Sequence, residues 1–150
     1  MPKAPNDTGQ FLRGDGAWAT ANLQEVGYAA VDTDESTTST TYTDLATAGP
    51  SVTMTAALND KMTFTLSARQ RDDTVGDITF AAAKLDAVAT AEADGTTLRQ
   101  AVGSYNTAAA ATGQFASLSA ASHTVKVQYK VTGSGTGNFA HRHLSVVRSV

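Results

Sequence analysis

Between residues 51 and 68 apolar side chains recur at every second position, interrupted once by turn formers. Val52, Met54 and Ala56 alternate with Ser51, Thr53 and Thr55, and Met62, Phe64, Leu66 and Ala68 alternate with Lys61, Thr63, Thr65 and Ser67. A period of two marks strands with one face in a core and one in water, and Leu58-Asn59-Asp60 between the runs is a turn signal. The spacing therefore predicts a β-hairpin. The same alternation returns at Val125, Val127, Tyr129 and Val131 against Thr124, Lys126, Gln128 and Lys130. The Gly-Ser-Gly-Thr-Gly run at 133–137 then predicts a second hairpin into residues 138–147. Weaker signals mark strands at 28–32, 41–45, 77–82, 97–102 and 113–118. Some eight short strands separated by turns predict an all-β fold, an antiparallel β-sandwich of the jelly-roll kind. One segment disagrees: AAAKLDAVATAEA at 81–93 favours helix by propensity. Leu85 and Val88 make no full apolar stripe, so it is expected to be a strand end and a loop, with room for one helical turn.

Residues 1–26 lack the alternation altogether. Prolines at positions 2 and 5 and glycines at 9, 14 and 16 predict an extended N-terminal docking arm without regular structure, ahead of a β-sandwich domain at 27–150. Such an arm has no core in which to hide Phe11, Leu12 and Trp18. These residues, with Arg13, are expected to dock on a sister subunit or another protein, although Trp18 could equally pack on its own domain.

Composition adds a reason for association. Leu, Ile, Val and Phe total 27 of 150 residues, about 18%, while the net charge is only -3. Ala and Thr fill the strands instead, so the sandwich buries little apolar volume per residue, and burial between identical copies is the natural remedy. A homo-oligomer is expected. With no cysteine there is no disulfide, thiolate nucleophile or Cys-bound zinc. No window approaches eighteen apolar residues and MPKAPNDTG lacks the apolar run of a secretory signal, so a soluble chain with no membrane partner is expected. Eleven basic residues against fourteen acidic ones, without a basic block, argue against nucleic acid as a partner.

Candidate chemistry is sparse. Arg13-Gly14-Asp15 matches the integrin-binding tripeptide but reads better as a turn in which Asp15 caps a neighbouring amide. His141 and His143 lie two apart on a predicted strand and project from one face, as surface or subunit-interface side chains or as metal ligands; Arg142 and Leu144 between and beyond them suggest an ordinary sandwich strand. His123 reads as a strand-starting polar residue. Asp32, Asp34 and Glu35 lack the spacing of a calcium loop and read as a solvated cap before 36–41, and Asp72-Asp73 reads as a charged turn. No G-x-S-x-G nucleophile elbow and no other catalytic constellation occurs, so neither an enzyme nor a cofactor is expected.

FLRGDGAWA at 11–19 resembles the junction peptides of tailed-bacteriophage fibre and spike proteins, where an extended leader meets a trimeric β-structured head. The succession TTSTTYTDLATAGPSVTMTA, KMTFTLSA and SHTVKVQYKVTGSGTGNFAHRHLSVV resembles a β-sandwich module of tailed-phage structural proteins, notably those of actinobacteria, over residues 31–147. The resemblance implies a homotrimeric jelly roll like viral knobs and C1q or tumour-necrosis-factor-like heads, with 27–150 as the trimerising domain. Within it Tyr42 and Leu45 bracket a strand ending at Gly49-Pro50; Arg148-Ser149-Val150 departs from the module's usual Pro and Leu ending. It further implies a virion structural protein assembled in the host cytoplasm, a capsid decoration or head-spike protein on the major capsid protein, or on a tail protein. The alternative it leaves open is the receptor-binding tip of a tail fibre recognising a host surface glycan. In a trimer the His141 and His143 pairs could also meet on the axis, an arrangement similar to the H-x-H metal sites of some phage fibre tips.

Overall fold

The computed structural model describes residues 10–12, 14, 18–20, 24–86, 88–89, 97–100 and 107–149. In chain order the strands are β1 (Gln10–Leu12), β2 (Trp18–Thr20), β3 (Glu25–Val31), β4 (Glu35–Thr37), β5 (Ser51–Thr55) and β6 (Lys61–Asp72). They continue as β7 (Thr79–Leu85), β8 (Val88–Ala89), β9 (Thr97–Gln100), β10 (Thr107–Phe115), β11 (Ser122–Val131) and β12 (Gly137–Ser149). One five-stranded sheet runs β10-β6-β12-β3, with β4 following β3 along β12; the other runs β5-β11-β7-β8, with β9 also on β7. All pairings are antiparallel, and no helix occurs among the described residues, so the chain is an antiparallel β-sandwich.

The two inward faces supply the core. Met62, Phe64 and Leu66 of β6 and Phe139, Leu144 and Val146 of β12 meet Val52 and Met54 of β5 and Val125, Val127 and Tyr129 of β11. Each such large side chain contributes about 1.5–3 kcal/mol when fully buried. Tyr129 and Phe139 bridge the layers with ring centroids 4.7 Å apart. Where β3 and β5 cross, the approach leaves no room for a side chain, because a Cβ on Gly27 would collide with Val52 Cγ1.

Strand positions follow the predicted alternation, but strand partners do not. Neither expected hairpin exists: β5 and β6 lie in opposite sheets, as do β11 and β12. Each connection crosses from one layer to the other, and an apolar face stays inward in a crossing as well as in a hairpin, so periodicity cannot tell them apart. The first crossing is fixed by Asn59 N–H donating to Leu118 O at 2.8 Å, and by buried Asp60 accepting from Ala57 N at 2.8 Å and Arg148 Nη1 at 3.0 Å. The strand expected at 41–45 is also replaced. Residues 39–50 run irregularly beside β11, meeting it at the Thr43–Tyr129 bridge and through Ser39 O and Pro50 O. Local hydroxyl bonds such as Ser39 Oγ to Thr41 O, 2.6 Å, compete there with a regular ladder.

Two further expectations change. Residues 1–26 contain regular structure after all: β1 pairs with β2, Leu12 opposite Trp18, and β3 already begins at Glu25. Gly14 falls in the connection, where a glycine aids pairing instead of opposing it. Residues 81–86 extend β7 and its turn, and no helical turn forms among the described part of 81–93.

Candidate functional site

The β10-β6-β12-β3 sheet presents an outer face with few charges. β6 contributes Thr63, Thr65 and Ser67 between Lys61 and Arg69, β12 His143, Ser145 and Val147, β3 Val26, Tyr28 and Ala30, and β10 Ala108, Ala110, Thr112 and Gln114. Polar groups on this face satisfy one another sideways: Thr65 Oγ1 to Thr112 Oγ1 is 3.1 Å and Gln114 Nε2 donates to Thr63 Oγ1 at 3.2 Å. Val26 and Tyr28 are left 65% and 64% exposed, a large apolar surface for an edge strand.

The opposite outer face is charged. Lys126 pairs with Asp44 at 2.8 Å, Gln128 donates to the other Asp44 oxygen at 3.1 Å, and Lys130 stands over the Phe80 and Tyr42 rings at 4.8 and 5.0 Å. Burial alone would raise the Asp44 carboxyl, but Lys126 and Gln128 outweigh it and hold it below the usual range.

A bulge in β12 interrupts the uncharged face. Ala140 pairs with Arg69 and His143 with Ser67, so His141 and Arg142 together oppose Ala68, and His141 takes a φ of 46°. The extra residue reverses the alternation. Phe139 points inward before it and Arg142, Leu144 and Val146 after it, so Arg142 is only 1% exposed. His141 and His143 remain outward, lining with Ser67, Ala68, Arg69, Ala108 and Ala109 a groove of about 280 Å³. Asp32 Oδ1 stands 3.5 Å from His141 Nδ1 and 4.0 Å from His143 Nε2, and the Tyr28 hydroxyl is 2.5 Å from His143 Nδ1. Among the described residues no three His, Asp or Glu side chains converge as a metal site.

Inward, Arg142 makes a buried ion pair. Its Nη2 donates to Glu35 Oε2 at 2.8 Å and to Thr33 O at 3.3 Å, and its Nη1 to Thr47 O at 3.3 Å. Glu35 therefore does not cap a solvated loop as expected; it accepts from Thr47 N and Oγ1 at 2.9 and 2.6 Å. Burial pushes its carboxyl up, but the Thr47 bonds and the Arg142 guanidinium prevail and hold it below the ordinary range.

A second buried group, His123, does more than start a strand. Its Nδ1 is 2.8 Å from Asp86 Oδ2, and its Nε2 is 3.1 Å from Ser119 O and 3.2 Å from Ser119 Oγ. Ser, His and Asp thus stand in the order of a hydrolytic triad, which needs an unprotonated Nε2. Here Nε2 faces a carbonyl oxygen and Nδ1 a carboxylate, so both nitrogens are best used as donors. The Asp86 contact, with the Ser119 carbonyl, raises the imidazole above its usual value, while the Thr124 amide and then His123 lower Asp86. The stabilisation from His123 is full below about pH 6.5 and lost as pH rises through the raised value; that from Asp86 is lost only as pH falls through its lowered one. Thermal unfolding is thus expected to show a Tm maximum near about pH 5–6 and a fall above about pH 7 that His123→Gln abolishes; equal slopes for both proteins would contradict it.

Of the residues expected to dock, Phe11 and Leu12 lie in β1 and Trp18 in β2, with Phe11 opposite Ala19. Arg13 and Asp15 lie outside the described residues.

No family model matches this sequence, and no curated protein matches it. Solved structures do. One is the CBM36-1 domain of a multidomain xylanase from the hindgut metagenome of Trinervitermes trinervoides, with TM-score 0.44 and 10% identity over 81% of this chain and 96% of that one. Another is infectious bursal disease virus, Gt strain, with TM-score 0.44 and 12% identity over 98% of this chain and 37% of that one. The VP2 subviral particle of the same virus gives 0.38 and 10%, over 99% and 42%. The chain spans about two fifths of the viral chains it matches. At these identities the likeness is one of fold alone.

Proposed function

We propose that this chain is a non-enzymatic structural protein of a phage virion. In this reading it is a homotrimer whose copies meet through the outer face of the β10-β6-β12-β3 sheet, and its arm docks on the capsid as a decoration or head spike. The observation that supports it is the contrast between the two outer faces, one charged and self-paired, the other carrying hydroxyls and small side chains along its middle and edged by exposed Val26 and Tyr28. Four strands about 4.8 Å apart and some eight residues long make a face of roughly 500 Å². A face-to-neighbour contact related by threefold rotation closes on itself and leaves no open end. His123, whose two ring nitrogens face the Asp86 carboxylate and the Ser119 carbonyl, supports a role without catalysis.

Bound to an assembled lattice better than as a free subunit, such a trimer stabilises the shell by mass action. Sedimentation of the purified chain is expected to give a trimer, and deleting residues 1–19 to abolish binding to shells while leaving that trimer whole. A stable monomer would overturn the self-association. A handful of copies per particle, with lost adsorption to cells on deletion, would place the protein at a tail-fibre tip instead.

A further inference from the structure

At one end of the sandwich the β6–β7 loop, residues 73–78, and the β11–β12 loop, residues 132–136, are pinned together around acidic side chains. Asp73 Oδ1 accepts from Thr136 N at 2.6 Å, Asp77 Oδ2 from Gly135 N at 2.7 Å and Asp72 Oδ1 from Thr74 N at 2.8 Å. Gly135 has no space for a side chain: a Cβ there would stand 2.6 Å from Asp72 Oδ1 and 2.8 Å from Asp77 Oδ2. The Asp72 and Asp77 carboxylates thus both pack closely against Gly135.

Turn hydrogen bonds account for those oxygens but not for what lies behind them. Asp72 is fully buried and its Oδ2 has no partner. Gln70, two residues earlier on the same inward face of β6, is fully buried with both amide atoms unpartnered, and Thr79 is fully buried with an unpartnered hydroxyl. Gly137 links two of them, being the Cα partner of Asp72 and placed so that a Cβ would lie 2.8 Å from the Thr79 methyl carbon, while Gln70 is the Cα partner of Phe139 on the same strand pair. Protein interiors do not leave such groups empty-handed; they fill the place with water or an ion. Charge favours the ion, because Arg71 alternates to the other face of β6 and the described ion pairs of Lys126, Arg142 and Arg148 go to other carboxylates.

We propose that this end of the sandwich binds a calcium ion through the carboxylates of Asp72 and Asp77, with the Gln70 amide oxygen and the Thr79 hydroxyl on its inner side. The donors are all oxygen and irregularly placed, which suits calcium; magnesium demands a tighter octahedron and sheds water reluctantly, and zinc prefers nitrogen and sulfur. The ion would tie together two loops that each cross between the sheets and stabilise the fold whether or not the chain is a trimer.

The test is calorimetry and thermal unfolding of the full chain, stripped with EDTA and titrated with CaCl2 alone. Calcium about a hundredfold above its Kd is expected to raise Tm by roughly 5–10 °C, an effect that equal MgCl2 does not reproduce. Asp77→Asn, with an unchanged circular dichroism spectrum, is expected to weaken calcium binding about tenfold or more. Absence of heat and of any Tm shift up to about 10 mM CaCl2, or wild-type calcium affinity in Asp77→Asn, would overturn the site and leave the buried oxygens to water.

Discussion

Ser145→Arg is expected to turn the proposed trimer into monomers without unfolding them. Ser145 is the Cα partner of Tyr28 on β3 and of Thr65 on β6, so it stands in the middle of the uncharged face with its side chain outward. An arginine there keeps the core intact but would have to be buried, three per trimer, opposite hydroxyls already paired with one another. An unpaired buried charge costs several kcal/mol, enough to weaken association by about a hundredfold or more. Sedimentation velocity at micromolar concentration reads the change. Thr53→Arg on the outer face of the other sheet, beside Thr124, is the matched control and should sediment as the parent does. A Ser145→Arg protein that remains trimeric would show that the copies meet elsewhere.

Glu35→Ala should be among the most damaging single truncations for stability. Arg142 is 1% exposed and Glu35 carries the only carboxylate within ion-pair distance of it among the described residues. Removing it leaves a guanidinium in the interior with two carbonyls at 3.3 Å, and breaking a buried pair from one side costs about 3–5 kcal/mol. For a chain of this length that lowers Tm by roughly 10 °C. The double variant Glu35→Ala, Arg142→Met removes the stranded charge and should recover much of the loss; a double variant no better than the single one would mean that Glu35 acts mainly through Thr47. Because Glu35 is held below its ordinary value, its contribution is present above about pH 4.5 and disappears as pH falls through the lowered value.

Both predictions depend on residues that the sequence places unevenly. Strand faces were legible wherever the period of two held: Met62, Phe64 and Leu66, and Val125, Val127 and Tyr129, are all buried. Layer crossings were not, because the loops at 56–60 and 132–136 carry the turn residues of a hairpin and differ only in which distant backbone groups they meet. Arg142 shows a signal that was present but unused. It shares parity with Leu144 and Val146, whereas Phe139 has the opposite parity, so an extra residue between them is required to keep both sets inward. The uncharged outer face is invisible along the chain because its members come from four strands distant in sequence. The orphaned trio of Gln70, Asp72 and Thr79 is hidden for the same reason: polar residues near strand ends look like surface until two layers close over them.

The place of β12 has a consequence for how the protein comes into being. It lies between β6 and β3, so every N-terminal fragment that stops short of Gly137 leaves both of those strands as open edges with unspent amide and carbonyl groups. Folding must close loops more than a hundred residues long in one late, cooperative event, as Glu25 meeting Arg148 requires, which belongs to the millisecond-to-second regime of all-β proteins. During synthesis the growing polypeptide is therefore exposed to sticking to its neighbours, and a holdase chaperone would raise the yield of folded chains.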